Sequence, residues 1–336
     1  MPQSRRRFLV GSAVAAIGAT SVGRAAGPSK GSGSSYSKLA AEIVSLFKPL
    51  PGSKSIKILA PAIPNRREFA AELDPGLPLF CASSFKGYVL GEALRQNEAL
   101  NGDLAKTQLR LDESVWSLDS EVFNPPYLSG KVSERTALEA MISHSDNTGA
   151  DMVLKHIGAD RVRSFIAGIG LRSTQIPNST RQFLGYIFGV PDWEQTSWAE
   201  AVAAVNGSGP LAHPPINDVQ TMVSSASDFV SFYSRGLQGA FFKNAATLAE
   251  FRAILMIADA IPEVIPLGAT GFAKGGQINV GEFNALCLAG GMYFPDRWVY
   301  FATKINWESA EPGPTTSAFV MAIARAFTRV KEVLAA

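Results

Sequence analysis

Cysteine and histidine are scarce in this chain, and after the first thirty residues no long apolar run interrupts it. Two cysteines, Cys81 and Cys287, stand among 336 residues. That is too few for a disulfide framework, and sequence does not give the separation a single bridge would need. Free cysteine is among the most buried residue types, so both read as buried thiols. His144, His156 and His213 stand singly, without metal-ligand spacing, which argues against a metal centre. No glycine-rich phosphate loop of the P-loop form is present. An excess of one charge is lacking too, since the formal net charge is +2. That gives no electrostatic footprint for nucleic acid. What remains is 46% hydrophobic and 18% charged, the balance of a globular protein of one large or two ordinary domains.

The small positive excess sits at the N-terminus. Ser4-Arg5-Arg6-Arg7-Phe8-Leu9 precedes an apolar, Ala/Gly/Val-rich stretch to about Val22, with small residues at Ala25 and Ala26. A basic start, a short apolar region and a small-residue exit describe an export signal over residues 1–26. The stretch is too short and too glycine-rich to span a bilayer comfortably. The arginine pair before Phe-Leu resembles the twin-arginine (Tat) signal. That resemblance implies the Tat machinery as a partner and a mature protein that is periplasmic or secreted. Removing these residues takes away four arginines and no acid, leaving 27 basic against 29 acidic residues.

Residues 27–35, "GPSKGSGSS", read as a flexible linker, and 36–336 as the folded domain. "YSKLAAEIVSLFKPL" has the apolar spacing of a helix, ended by Pro49 and Pro51. "KSIKILAPA" and "REFAAELDP" read as strands. From about 87 to 265 the pattern is mostly helical, with a loop-like stretch from Gln175 to Asn217. "ATGFAKGG", "EFNALCLAGG" and "RWVYFATKIN" read as three consecutive strands, and an amphipathic helix closes the chain. Early strands must join late ones. The fold class is therefore α+β, an antiparallel sheet flanked by helices, with an inserted helical region.

Three short stretches carry candidate chemistry: Ser83-Ser84-Phe85-Lys86 at a helix start, Ser145-Asp146-Asn147 between two helices, and Lys274-Gly275-Gly276 at the end of a strand. Each alone is weak. A serine and a lysine three apart share a helix face, so Lys86 is placed to activate Ser83. In this order and context the three resemble S-x-x-K, S-D-N and K-T-G of the serine β-lactamases and penicillin-binding proteins. "ALEAMISHSDNTGADMVLKHIG" looks particularly like the class A β-lactamases. The resemblance implies a β-lactamase/transpeptidase-like fold with Ser83 as nucleophile, Lys86 as base and Ser145 as proton relay. It implies that Asn147, Lys274 and Gly276 bind substrate, and that the N–H groups of Ser83 and Gln277 form the oxyanion hole. It implies no cofactor or metal. The substrate would be a β-lactam or a cell-wall peptide or ester, with the protein acting as a monomer.

Two departures stand out. Gly275 brings no hydroxyl where the family motif has threonine, a hydroxyl that helps hold the substrate carboxylate. The E-x-x-L-N pattern of the deacylating glutamate is absent: counting forward from Ser145 lands near Arg181, and the nearest substitute is Glu194 in "PDWEQTSW". A solvated loop acid is the commoner role for such a residue. β-Lactam hydrolysis is the expected activity. A D,D-peptidase or esterase with slow deacylation is the alternative, and a non-catalytic cell-wall-binding protein the second. The aromatics Phe183, Tyr186, Phe188, Trp193 and Trp198 either shape the pocket or pack on the helical region, and packing is the more common role.

Overall fold

The computed structural model describes residues 32–207 and 210–335. The export signal, with its arginine pair, lies outside them. Helix α1 (Ser32–Phe47) starts inside the run that composition marks as a linker. Its face of Leu39, Ile43 and Phe47 is fixed by packing, and packing outweighs propensity in holding most helices. Strands β1 (Ser53–Ala60), β2 (Phe69–Leu73) and β3 (Leu79–Phe80) follow, then a 3-10 turn at Ala82–Phe85 and helix α2 (Lys86–Ala99). A hairpin of β4 (Gln108–Leu111) and β5 (Gly130–Ser133) leads to α3 (Glu134–Ser143), α4 (Asn147–Ile157) and α5 (Ala159–Gly168).

The stretch 175–217 holds more order than its glycines and prolines suggest. Helices α6 (Thr180–Ile187) and α7 (Trp198–Asn206) both form there. Ser179 caps the first by accepting from Gln182 N, and Ser197 makes a capping box with Glu200 on the second. Such caps satisfy N–H groups that a helix start leaves orphaned. Then come β6 (Val223–Ser224), α8 (Ala226–Gly236), α9 (Ala245–Met256) and α10 (Ile261–Val264). Strands β7 (Thr270–Val280), β8 (Phe283–Phe294) and β9 (Arg297–Glu308) precede the closing helix α11 (Gly313–Leu334).

The main sheet has the order β2-β1-β9-β8-β7, with every neighbouring pair antiparallel. It is built from both chain ends around a helical insert, as the pattern of elements implies. β8 is buried without a break from Asn284 to Met292, so both faces of the sheet are covered. On one face Phe47 meets Phe319 and Phe301 meets Phe327, uniting α1, α11 and the strands. The other face carries Tyr88 of α2 stacked on Phe229 of α8, with ring centroids 5.0 Å apart.

Three side chains fix the segment before α2. Asn306 of β9 accepts from Phe80 N at 2.8 Å and donates to Phe80 O at 3.0 Å. Lys304, fully buried, donates to Leu79 O at 2.9 Å and to Ser224 O. Ser84, buried in the 3-10 turn, donates to Lys274 O at 3.2 Å and Cys287 O at 3.3 Å. The edge strand β7 therefore lies directly against the turn. Gly276 allows that approach: a Cβ there would stand 2.6 Å from Cys81 O, Ser83 N and Ser84 N. All three are backbone atoms and cannot swing away. Gly276→Ala is expected to cost about 1–3 kcal/mol of stability by overpacking and to displace Ser83. Thermal unfolding checks this; an unchanged midpoint would contradict it.

Candidate active site

The corner between α3 and α4 sets the geometry. Ser145 sits there with φ of 57°, a left-handed conformation that a serine adopts at a cost and that recurs at functional sites. Asp146 holds the corner. Its carboxylate accepts from Gly149 N at 2.8 Å, capping α4, and from Val122 N and Phe123 N at 2.9 and 3.0 Å. Asn147 donates from Nδ2 to Leu118 O at 2.8 Å, which turns its Oδ1 toward α2.

Lys86 reaches this corner from the first residue of α2. Its Nζ donates to Ser145 O at 2.5 Å, to Asn147 Oδ1 at 2.7 Å and to Ser145 Oγ at 3.3 Å. The side chain is fully buried. Burial pushes its pKa down to about 7, helped by the neighbouring Lys274 ammonium and opposed by Asp146, Asp151 and Asp119. All three ammonium donors are engaged, so no hydrogen bond runs from Lys86 to Ser83. Ser83 is half-buried one turn away on the same face. The bond expected from their spacing is open to the neutral amine, which gains a lone pair.

Lys274 lies on β7, buried, with its Nζ donating to Gly275 O at 2.9 Å. Burial lowers its pKa to about 8, against the pull of Asp259. Gly276 lines the approach to Ser83, and Gln277 follows it, exposed on the edge strand. Gly275 points to the opposite side, where a Cβ would meet Ala260 Cβ at 3.2 Å. The segment before α10 leaves little room for the side chain that the motif lacks.

The structure thus gathers Ser83, Lys86, Ser145, Asn147, Lys274 and Gly276 at the start of α2. It does not bring Glu194 there. That residue is exposed on the 3-10 turn Trp193–Gln195, and only its backbone oxygen is engaged, by Gln182 Nε2 at 2.6 Å. Arg181 points outward, donating to the carbonyls of Glu113, Ser114 and Trp116. The buried acid beneath it, Asp151, is occupied: it accepts from Thr180 N at 2.6 Å, Thr180 Oγ1 at 2.8 Å and Arg181 N at 3.0 Å. Burial raises its pKa to about 6. His144 bonds Ser143 Oγ through Nδ1, not Ser145, and His213 stacks on Tyr186. Phe183 packs on Phe80 of β3, and Trp116 packs on Trp198 within the helical region. Both thiols are free and buried, and burial pushes Cys81 up to about 12. Among the described residues no group of three or more His, Cys, Asp or Glu could hold a metal ion.

Sequence reasoning missed Ser84, Asn306, Lys304 and Asp151. Asp151 has a faint signal, a carboxylate on the apolar α4. The others bond across long sequence separations and leave none.

Known structures of the same shape carry related names. A TLA-1 extended-spectrum β-lactamase superposes with a TM-score of 0.68 at 14% identity, covering 90% of this chain and 99% of that one. A class A β-lactamase from Bacteroides cellulosilyticus gives 0.67 at 17%, covering 89% and 98%. An acyl-enzyme complex of PBP-A with penicillin G gives 0.67 at 14%, covering 88% and 97%. Identities this low establish the shared fold alone. No curated protein matches the chain. The family model for the β-lactamase enzyme family matches residues 39–265, well over half the sequence, and the chain belongs to that family.

Proposed function

We propose that this protein is an exported serine hydrolase that takes the acyl group of a β-lactam, or of a related cell-wall amide or ester, onto Ser83 and releases it slowly to water. The observation that carries this reading is Lys86: a buried amine with a pKa near 7, one turn from a serine hydroxyl it does not yet bond. With Lys86 neutral, its lone pair accepts the Ser83 proton as Oγ attacks the substrate carbonyl carbon. The N–H groups of Ser83 and Gln277 stabilise the oxyanion. Ser145, touching Lys86, passes the proton to the leaving nitrogen of a lactam or amide, or the leaving oxygen of an ester, as the C–N or C–O bond breaks. Lys274 supplies positive field, Gly276 lets β7 lie against the turn that carries Ser83, and Asn147 orients Lys86.

Hydrolysis of the acyl-serine needs a base for water, and the site offers poor candidates. Arg181 points away, Asp151 caps α6 and Glu194 faces solvent. This favours the penicillin-binding-like reading over fast β-lactam turnover. Intact-mass spectrometry of the mature protein with a β-lactam is expected to show a Ser83 adduct that persists, absent in Ser83→Ala. An adduct that decays within seconds would assign a working β-lactamase with another base.

The acylation rate should follow a bell-shaped pH profile. It rises as Lys86 loses its proton through about 7 and falls as Lys274 loses its charge through about 8. Lys86→Met should cut acylation by about 10²- to 10⁴-fold, the usual share of a general base. Lys274→Met removes the neighbouring charge, so the rising limb should move to higher pH and the falling limb vanish. Stopped-flow acylation across pH checks both; a flat profile would remove Lys86 from the base role.

Export through the twin-arginine route predicts that changing Arg6 and Arg7 together to lysine keeps the precursor inside the cell. Cell fractionation reads this directly, and unchanged export would refer the signal to another route.

A further inference from the structure

On the helical region, away from Ser83, a cavity of about 510 Å³ opens between α2, α5 and α8. Arg95, nine residues along α2 from Lys86, lies about 13 Å down the helix axis from it. Three guanidinium groups, those of Arg95, Arg161 and Arg235, line this basin. One acid, Glu92, faces them, and it is buried and bonded to Arg95 Nε at 2.6 Å and Arg95 NH2 at 3.0 Å. Arg161 and Arg235 have no ion-pair partner among the described residues.

Each arginine is held in place. Arg95 lies over the Phe165 ring at 5.6 Å and Arg235 over the Phe241 ring at 5.1 Å. The two rings meet edge to face at 5.3 Å and form an apolar floor. Arg235 donates to Ile169 O at 2.8 Å. Arg161 donates to Gln96 Oε1 at 3.2 Å, and Gln96 in turn donates to Glu92 at 2.7 Å. A guanidinium has five N–H donors, so each of the three keeps most of its capacity. Anchored arginines lose less freedom when they bind a planar oxyanion, and a ring floor rewards an apolar body. The volume is in the range of small-molecule sites.

We propose that this basin binds a compact polyanion, with two or three carboxylate or phosphate groups on a flat or apolar body, at a site separate from the catalytic cleft. The full-length mature protein is titrated calorimetrically at low salt with benzene-1,3,5-tricarboxylate, with inorganic phosphate and with benzoate. The tricarboxylate should bind saturably, and benzoate at least about tenfold more weakly. Arg161→Ala with Arg235→Ala should weaken the tricarboxylate at least about tenfold, while Ser83 acylation, tested alongside, shows that the variant is folded. Arg161→Lys with Arg235→Lys should recover part of the affinity. Displacement of the tricarboxylate by phosphate would support the same site and point to a phosphate ligand; failure to displace it would support a carboxylate ligand. No saturable binding of either polyanion, or equal binding to wild type and to the alanine pair, would overturn the proposal.

Discussion

A buried lysine ammonium that meets only protein oxygens organises the centre of this molecule. Taking such a charge out of water costs several kcal/mol unless hydrogen bonds and opposing charges compensate. Here the compensation comes from Ser145 and Asn147, on the far side of a helix corner, and from acids set further back. The corner must therefore be rigid. Asp146 makes it so, by capping α4 and holding two N–H groups of the 122–123 loop with one carboxylate. The same incomplete compensation that strains the fold loosens the proton on Lys86. Stability and reactivity draw on one balance.

The second constraint is contact between the two ends of the chain. Ser83 lies early in the sequence and β7 late, yet the strand lies against the 3-10 turn within the reach of a missing Cβ. Ser84 bonds that strand directly, while Asn306 of β9 holds Phe80 just before the turn. This explains why a strand edge, rather than a loop, lies beside Ser83. On the proposed reading, its backbone N–H groups are fixed in advance, which is what oxyanion stabilisation requires.

Much of this was legible in the sequence where the signal is local. The spacing of Ser83 and Lys86 puts both on one face, and α2 begins at that lysine. Strands β7 to β9 alternate with short turns and read as strands. The three motifs point to a common place, and their residues lie together at the start of α2. What was not legible is long-range or depends on a single cap. Ser179 and Ser197 start helices in a stretch whose composition resembles a loop. Lys304 reads as an ordinary strand lysine, although it is buried against two carbonyls. The expected Ser83–Lys86 bond failed for a related reason: spacing fixes which face a side chain shares, not which of several acceptors wins its protons.

On the proposed reading, an acyl group on Ser83 would leave only with the help of water. An acid helps water only if its carboxylate is free and aimed at the ester. The acid nearest the start of α6, Asp151, has both oxygens committed to that helix, and withdrawing it would release three donors in a buried place. An unpaired buried donor costs about 1–3 kcal/mol. Asp151 is therefore held as a brace for α6, and the loop beyond carries Glu194 out into solvent. On the proposed reading, with Ser83 as nucleophile, the bracing of Asp151 and the exposure of Glu194 suit the site better to forming an acyl-serine than to clearing it.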